Sequence, residues 1–198
     1  MNRSTRRGLL AALLVATAMP ALAQFSESTN FLKAVRERDS AKMTEIVSNA
    51  SSTAINTRDR GSGEGALHIL VRGRDLGWLN YLLSRGARPD LADNHGNTAL
   101  AIAAQLGWVE GAEALLARRA SVNAANGRGE TPLIMAVHRR DAAMVRLLMS
   151  QGANPNWTDS AAGLSALDYA RRDTRAGQIL RLLQAPRPAR PVAGPTRP

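Results

Sequence analysis

Apolar residues in this chain recur on a long period as well as a short one. Leu67, Leu100 and Leu133 stand 33 residues apart, and so do Leu82, Leu115 and Leu148. In a fourth copy both positions slip by one, to Leu167 and Leu182, and a single extra residue in the Ser160–Gly163 turn accounts for both slips. A period of this size marks an array of small structural repeats. The best-preserved unit runs from Asn126 to Asn156. Thr131 can accept a backbone N–H as a helix N-cap, and Pro132 follows at the first helical position, where its missing N–H costs nothing. Leu133, Ala136 and Val137 then give a narrow apolar stripe on a helix of about two turns. Ala142 opens a second helix with Met144, Val145, Leu147, Leu148 and Met149 as inward bulk. Gly152 supplies the left-handed residue that stops it. Gly127–Gly129 ahead of the pair reads as a tight turn. Two such short helices bury too little apolar surface to fold alone, so the units must stack.

The flanks differ in composition. Met1 to Ala23 reads as a cleavable targeting segment: Arg3, Arg6 and Arg7, an apolar run from Leu9 to Ala18, then Ala21-Leu22-Ala23 with cleavage expected before Gln24. The run is too short to span about 30 Å of hydrocarbon, so no membrane association is expected after cleavage. Thr5 to Leu10 also resembles a twin-arginine signal, and the general secretory route is the favoured expectation. Residues 24–30 read as a linker. Beyond Gln184, Pro186, Pro188, Pro191, Pro195 and Pro198 exclude helix and central strand, which makes 185–198 a disordered or polyproline-like Pro/Arg tail.

Composition narrows the chemistry. The chain has no cysteine, which removes disulfides, Cys-ligated zinc, a thiol nucleophile and a lipobox anchor. Three basic residues of the +10 surplus lie in the targeting segment and three in the tail, which leaves +4 between them. Basic residues interleaved with stacking aromatics are missing, so nucleic acid is not an expected partner. Arginine far outnumbers lysine, and codon bias is the simplest source of that excess.

The repeat motifs resemble those of ankyrin-repeat proteins. The family's Thr-Pro-Leu-His signature reads Thr131-Pro132-Leu133-Ile134, with further copies at Gly65–His68, Thr98–Ala101 and Ser165–Asp168. Its Gly-Ala ending appears as Gly152–Asn156, Gly86–Asp90 and, degenerately, Arg119–Asn123, and its turn as Asp93–Gly96 and Asn126–Gly129. His68 alone keeps the motif histidine, and Arg119 replaces a helix-stop glycine. The resemblance implies an all-α ankyrin-repeat solenoid over residues 31–184, with about five helix–turn–helix repeats (31–56, 57–91, 92–124, 125–157 and 158–184) and short β-turn fingers. The first repeat lacks its turn and reads as a cap, with Ala34, Val35, Ile46 and Val47 buried. The last presents Arg171, Arg172, Gln178 and Arg181 outward.

The resemblance further implies a non-catalytic protein-binding module of bacterial, exported type, periplasmic or, as the alternative, secreted as an effector. Some periplasmic ankyrin proteins assist partner enzymes such as catalases, an analogy only. Carried over by framework position, the protein-binding residues are Arg60, Glu64 and Arg72 in one copy and Asn94, His95, Asn97, Gln105 and Leu106 in the next. The later copies contribute Arg128, Glu130, His138, Arg139, Leu164 and Arg172. Arg72, Arg128, Arg139 and Arg172 would form a basic stripe suited to carboxylates on an acidic partner surface. Coding bias places arginine on any face, so the stripe competes with that simpler reading. Trp157 is a candidate exposed anchor, whereas Trp78 and Trp108 are expected to pack between repeats.

Catalytic signals are sparse. His68, His95 and His138 fall in different repeats at non-equivalent positions, too far apart to share a zinc. No Gly-x-Ser-x-Gly elbow occurs. Gly61–Gly65 is glycine-rich but lacks the Lys-Ser/Thr of a phosphate loop and reads as a loosened turn. Glu110 and Glu113 read as a solvated helix face. No metal, cofactor or catalytic residue is expected. The rival is an enzyme using His138 with Glu130 or Asp141, which requires those side chains to converge within about 3 Å of a common pocket.

Overall fold

Helical pairs follow one another along the chain in the computed structural model, which describes residues 29–49 and 54–185. The targeting segment, most of the linker and the Pro/Arg tail lie outside the described residues. Helix α1 spans 29–37 and α2 Ser40–Asn49, followed by a 3-10 turn at Ala54–Asn56. Four more pairs follow: α3 (Ala66–Arg72) with α4 (Leu76–Ser84), α5 (Ala99–Leu106) with α6 (Val109–Ala117), α7 (Pro132–Arg139) with α8 (Ala142–Ser150), and α9 (Ala166–Arg172) with α10 (Gly177–Gln184). α3, α5, α7 and α9 pack in sequence as an inner row, and α4, α6, α8 and α10 as an outer row. The all-α stack expected from the 33-residue period is therefore present.

Side-chain caps start α4, α5, α7, α8 and α9. Thr98 and Thr131 accept the backbone N–H groups of Ala101 and Ile134, and Pro132 opens α7. Ser165 caps α9 reciprocally with Asp168, a capping box. On the outer row Asp75 and Asp141 accept from Trp78 and Met144. The left-handed stop occurs at Gly86, Arg119 and Gly152 after outer helices, so Arg119 adopts the glycine conformation at φ 63°.

The periodic leucines form the core. Leu82, Leu100, Leu115, Leu133 and Leu148 are fully buried, and Leu67 nearly so. Leu167 and Leu182 of the last copy are only half-buried, whereas Ile179 and Leu183 are buried. Among the described residues no later pair covers that end. Ala34, Val35 and Val47 are buried in the first pair, and Ile46 packs partly against the core. Trp108 is buried against Gly111, where any Cβ would clash with its ring. Trp78 is half-buried, donates from Nε1 to Ser40 Oγ of the preceding pair at 3.3 Å and meets Tyr81 edge-on.

Candidate functional site

Between the pairs, four turns project as fingers, and each hangs from one Asx side chain. Asp59 Oδ1 accepts the N–H groups of Gly61 and Ser62, and Asp93 Oδ1 those of His95 and Asn97. Asn126 Oδ1 accepts from Arg128 and Glu130, and Asp159 Oδ1 from Ala161, Ala162 and Gly163. The first and last fingers are each one residue longer than the middle two. The extra residue inferred at Ser160–Gly163 thus has a counterpart in Gly61–Gly65. Neighbouring fingers are joined by Asn94 N–H to Ser62 O, Gly127 N–H to His95 O and Ser160 N–H to Arg128 O, at 2.8–3.0 Å. Gly96 and Gly129 have positive φ, and a Cβ on either would come within 2.7 Å of the next finger's backbone nitrogen. Only glycine permits that approach.

Several finger carboxylates titrate below their ordinary range. The Ser62 backbone N–H, with Arg36 and the Ser62 hydroxyl, pulls Asp59 far down. Burial alone would raise Asp93, but donation from the Asn97 side chain and the Asn97 and His95 backbones outweighs it. The Tyr169 hydroxyl holds Asp159 down and is itself raised by the same bond.

A concavity of about 760 Å³ lies across the middle two fingers and the inner helices behind them. Asn94, His95 and Asn97 line it from one finger, and Arg128 and Glu130 from the next. Gln105 lines it from α5, and His138 and Arg139 from α7. Asn126, Gly127 and Met135 also line it and were missed by framework reasoning. Met135 lies one turn before His138 on the same helix face, a spacing that was available. Asn126 was legible as the one turn anchor that is amide rather than carboxylate. Its Nδ2 donates to Asn97 Oδ1 at 3.1 Å and to Glu130 Oε2 at 2.9 Å, so Glu130 approaches the finger without like-charge repulsion.

The remaining named residues lie elsewhere. Arg60 is exposed on the first finger beside a smaller concavity of about 350 Å³ that Leu32 and Arg36 also line. Leu106 and Leu164 are half-buried, Arg172 is exposed at the end of α9, and Trp157 is 44% exposed outside the concavity. Two of the four stripe arginines are already paired. Arg72 Nε meets Glu64 Oε1 at 2.8 Å, and Arg128 forks onto Glu130 Oε2 at 2.8 and 3.0 Å. Arg139 and Arg172 form no ion pair among the described residues.

Ankyrin repeats in three copies match residues 31–126, and ankyrin repeats in many copies match 115–170. The chain belongs to the ankyrin-repeat family. An ankyrin repeat-containing protein of Treponema pallidum is 39% identical over 110 residues, 55% of this chain and 37% of that protein. The B-cell lymphoma 3 protein homolog of Mus musculus is 34% identical over 113 residues, 54% of this chain and 25% of the relative. ANK repeat-containing protein nipk-1 of Caenorhabditis elegans is 29% identical over 123 residues, 54% of this chain and 20% of the relative. The chain thus spans little more than a third of these relatives at most. What they share is the ankyrin stack, a protein–protein interaction scaffold.

Two features of this ankyrin stack bear on what its face can do. His68, the motif histidine, is buried, accepts the Gly65 N–H at Nδ1 and reaches Asn97 O from Nε2, both at 3.0 Å. It ties one finger to the next. His138 instead stacks edge-on against Tyr169, centroids 4.4 Å apart. Glu130 is held by Asn126 and Arg128, and Asp141 caps α8. Glu130 and His138 line the same concavity, but no hydrogen bond or ion pair among the described residues joins His138 to Glu130 or Asp141. Among the described residues no group of three His, Asp or Glu side chains is placed to hold a metal, and no helix is long and apolar enough to cross a membrane.

The junctions between inner and outer helices carry a second pattern. Arg38, Arg74 and Arg140 occupy left-handed positions there at φ 55°, 51° and 57°, matched by Gly107 at 67°. Arg38 Nη2 donates to Gly73 O at 3.2 Å and Arg74 Nη2 to Leu106 O at 2.9 Å, each at the end of the next inner helix. Arg140 pairs with Asp173 at the end of α9 and holds that carboxyl below the ordinary range. A guanidinium at a helix C-terminus satisfies an orphan carbonyl and the negative end of the dipole.

Proposed function

We propose that this ankyrin stack is a non-catalytic scaffold of the bacterial periplasm that holds a partner protein with an acidic surface against its concave face. The observation that carries the reading is the concavity itself, built on the two middle fingers and lined by amides, imidazoles and guanidinium groups. Charge placement supports the acidic partner. Each aspartate among the described residues is occupied by a helix cap, a finger turn or a neighbouring repeat. The glutamates without a hydrogen bond or ion pair there lie away from the concavity, Glu45 on α2 and Glu110 and Glu113 on the outer helix α6. The face therefore offers Arg139 and Arg172 without an ion pair among the described residues, while each of its carboxylates holds at least one hydrogen bond. The basic, apolar and small-residue order of Met1–Ala23 supports export, and the Treponema relative supports a bacterial setting.

A photocrosslinking residue placed at His95 or at Glu113 of the mature protein, irradiated in periplasmic extract, tests the reading. Adducts are expected from His95 and not from Glu113. Equal adducts from both positions would overturn the concave site, and a partner recovered only outside the cell would overturn the compartment.

A further inference from the structure

We propose that the concavity seats an extended segment of the partner with one Asp or Glu carboxylate on Arg139. This rests on the concave-face reading and names the group that the face recognises. Of the two guanidinium groups in the concavity, that of Arg128 is spent on Glu130 at 2.8 Å, while Arg139 forms no ion pair among the described residues. Arg139 lies close to the end of α5. Gly107 ends α5 at φ 67°, and a Cβ added there would lie 2.9 Å from Asp141 Oδ2, 3.0 Å from Arg139 Nη2 and 3.1 Å from Nε. The guanidinium thus lies beside backbone that lacks a side chain, open to a carboxylate that its planar fork can meet with two hydrogen bonds.

The rest of the lining fits a polypeptide rather than a bare anion. Asn94, Asn97 and Gln105 carry carbamoyl groups that both donate and accept, the complement of peptide N–H and C=O. Glu130 takes its three bonds on Oε2, which leaves Oε1 for a backbone N–H of the segment. The Arg128–Glu130 pair is close to neutral, so that end of the concavity neither attracts nor strongly repels a second acid, and Arg139 is the seat for a single carboxylate. The volume of about 760 Å³ lies within the range of about 300–1,000 Å³ found for ligand clefts.

Fluorescence polarisation with labelled hexapeptides provides the test: alternating Gly and Glu, with Gly/Gln and Gly/Lys counterparts, against the mature protein. The Glu probe is expected to bind at least about tenfold more tightly than the Gln probe, the scale of one charged hydrogen-bonded pair. Arg139→Gln should abolish that ratio, Arg139→Lys should retain part of it, and Arg146→Gln on α8 should leave it intact. Equal binding of Glu and Gln probes, absence of binding, or an equal loss with Arg146→Gln would each overturn the proposal. If crosslinking at His95 still captures a partner when the probes fail, the scaffold reading stands and the carboxylate seat alone falls.

Discussion

Replacing Arg74 by glycine separates two effects that act in opposite directions. At φ 51° the residue is left-handed, a conformation that costs a non-glycine residue about 1 kcal/mol. Glycine removes that strain but gains roughly 0.5 kcal/mol of extra freedom in the unfolded chain, which leaves a net stabilisation near 0.5. The substitution also deletes the bond from Arg74 Nη2 to Leu106 O at 2.9 Å. A hydrogen bond from a charged donor is worth about 1.5–3 kcal/mol when sheltered, and roughly 1 after allowance for the solvent exposure of this guanidinium. Arg74→Gly should therefore destabilise the stack by about 0.5 kcal/mol. Arg119 supplies the control. It is left-handed at φ 63°, and its guanidinium has no hydrogen bond or ion pair among the described residues. Arg119→Gly should accordingly stabilise by about 0.5 kcal/mol. The two variants should differ by about 1 kcal/mol, or roughly 2–4 °C in Tm and 0.5 M in urea midpoint for a domain of this size. Urea titrations followed by circular dichroism at 222 nm measure this. Equal shifts for the two variants would show that the guanidinium contributes nothing and that backbone strain alone decides.

The finger glycines offer a parallel comparison. Gly96→Ala places a Cβ 2.6 Å from Gly127 N in addition to its left-handed strain, whereas Gly86→Ala meets nothing within 4 Å. Gly86→Ala should cost about 1 kcal/mol and Gly96→Ala at least about twice that; similar midpoints in urea would refute the close-approach account. Acid should act through the fingers. The carboxyls of Asp59, Asp93 and Asp159 are depressed in the folded state, so their stabilisation is complete above the ordinary unfolded value of about 4 and is lost as pH falls through the folded values. Helicity is expected to hold from neutrality to about pH 4 and decline below it. Asp93→Asn keeps the Oδ1 acceptor for the His95 and Asn97 N–H groups but sets a donor against Asn97 Nδ2, so it should flatten that decline at some cost in stability at neutral pH. A transition centred above pH 5 would contradict the assignment.

What was legible in the chain, and what was not, follows from which residues announce their geometry. The stacked helices were readable because Leu67, Leu100 and Leu133 keep both period and burial, and because Thr131-Pro132 is an unambiguous helix start. The left-handed junctions were hidden. Gly107 shows one openly, but Arg38, Arg74 and Arg140 occupy the same slot with a residue that gives no conformational signal. An arginine excess that looked like codon bias thus includes three residues that clamp one repeat to the next. The concave face was half readable. Framework positions found His95, Arg128, Glu130, His138 and Arg139 together, but the pairing of Arg72 with Glu64 eight residues earlier depends on how the finger folds back over α3. Sequence spacing carries no trace of that contact.

The backbone–backbone bonds between fingers all run in one sense, from the N–H of the later finger to the carbonyl of the earlier one. Each internal finger therefore presents the same donor to one side and the same acceptor to the other, whatever its place in the chain. Removing residues 93–125 would bring Gly127 N–H opposite Ser62 O, where Asn94 N–H now sits, and α7 against α3, where α5 now sits. Length is thus a free variable of this architecture. For the backbone bonds between fingers, whole units are interchangeable, and the reach of the concave face along a partner would change in steps of one repeat, while side-chain bonds such as Asn94 Nδ2 to Gly61 O remain particular to their own junction.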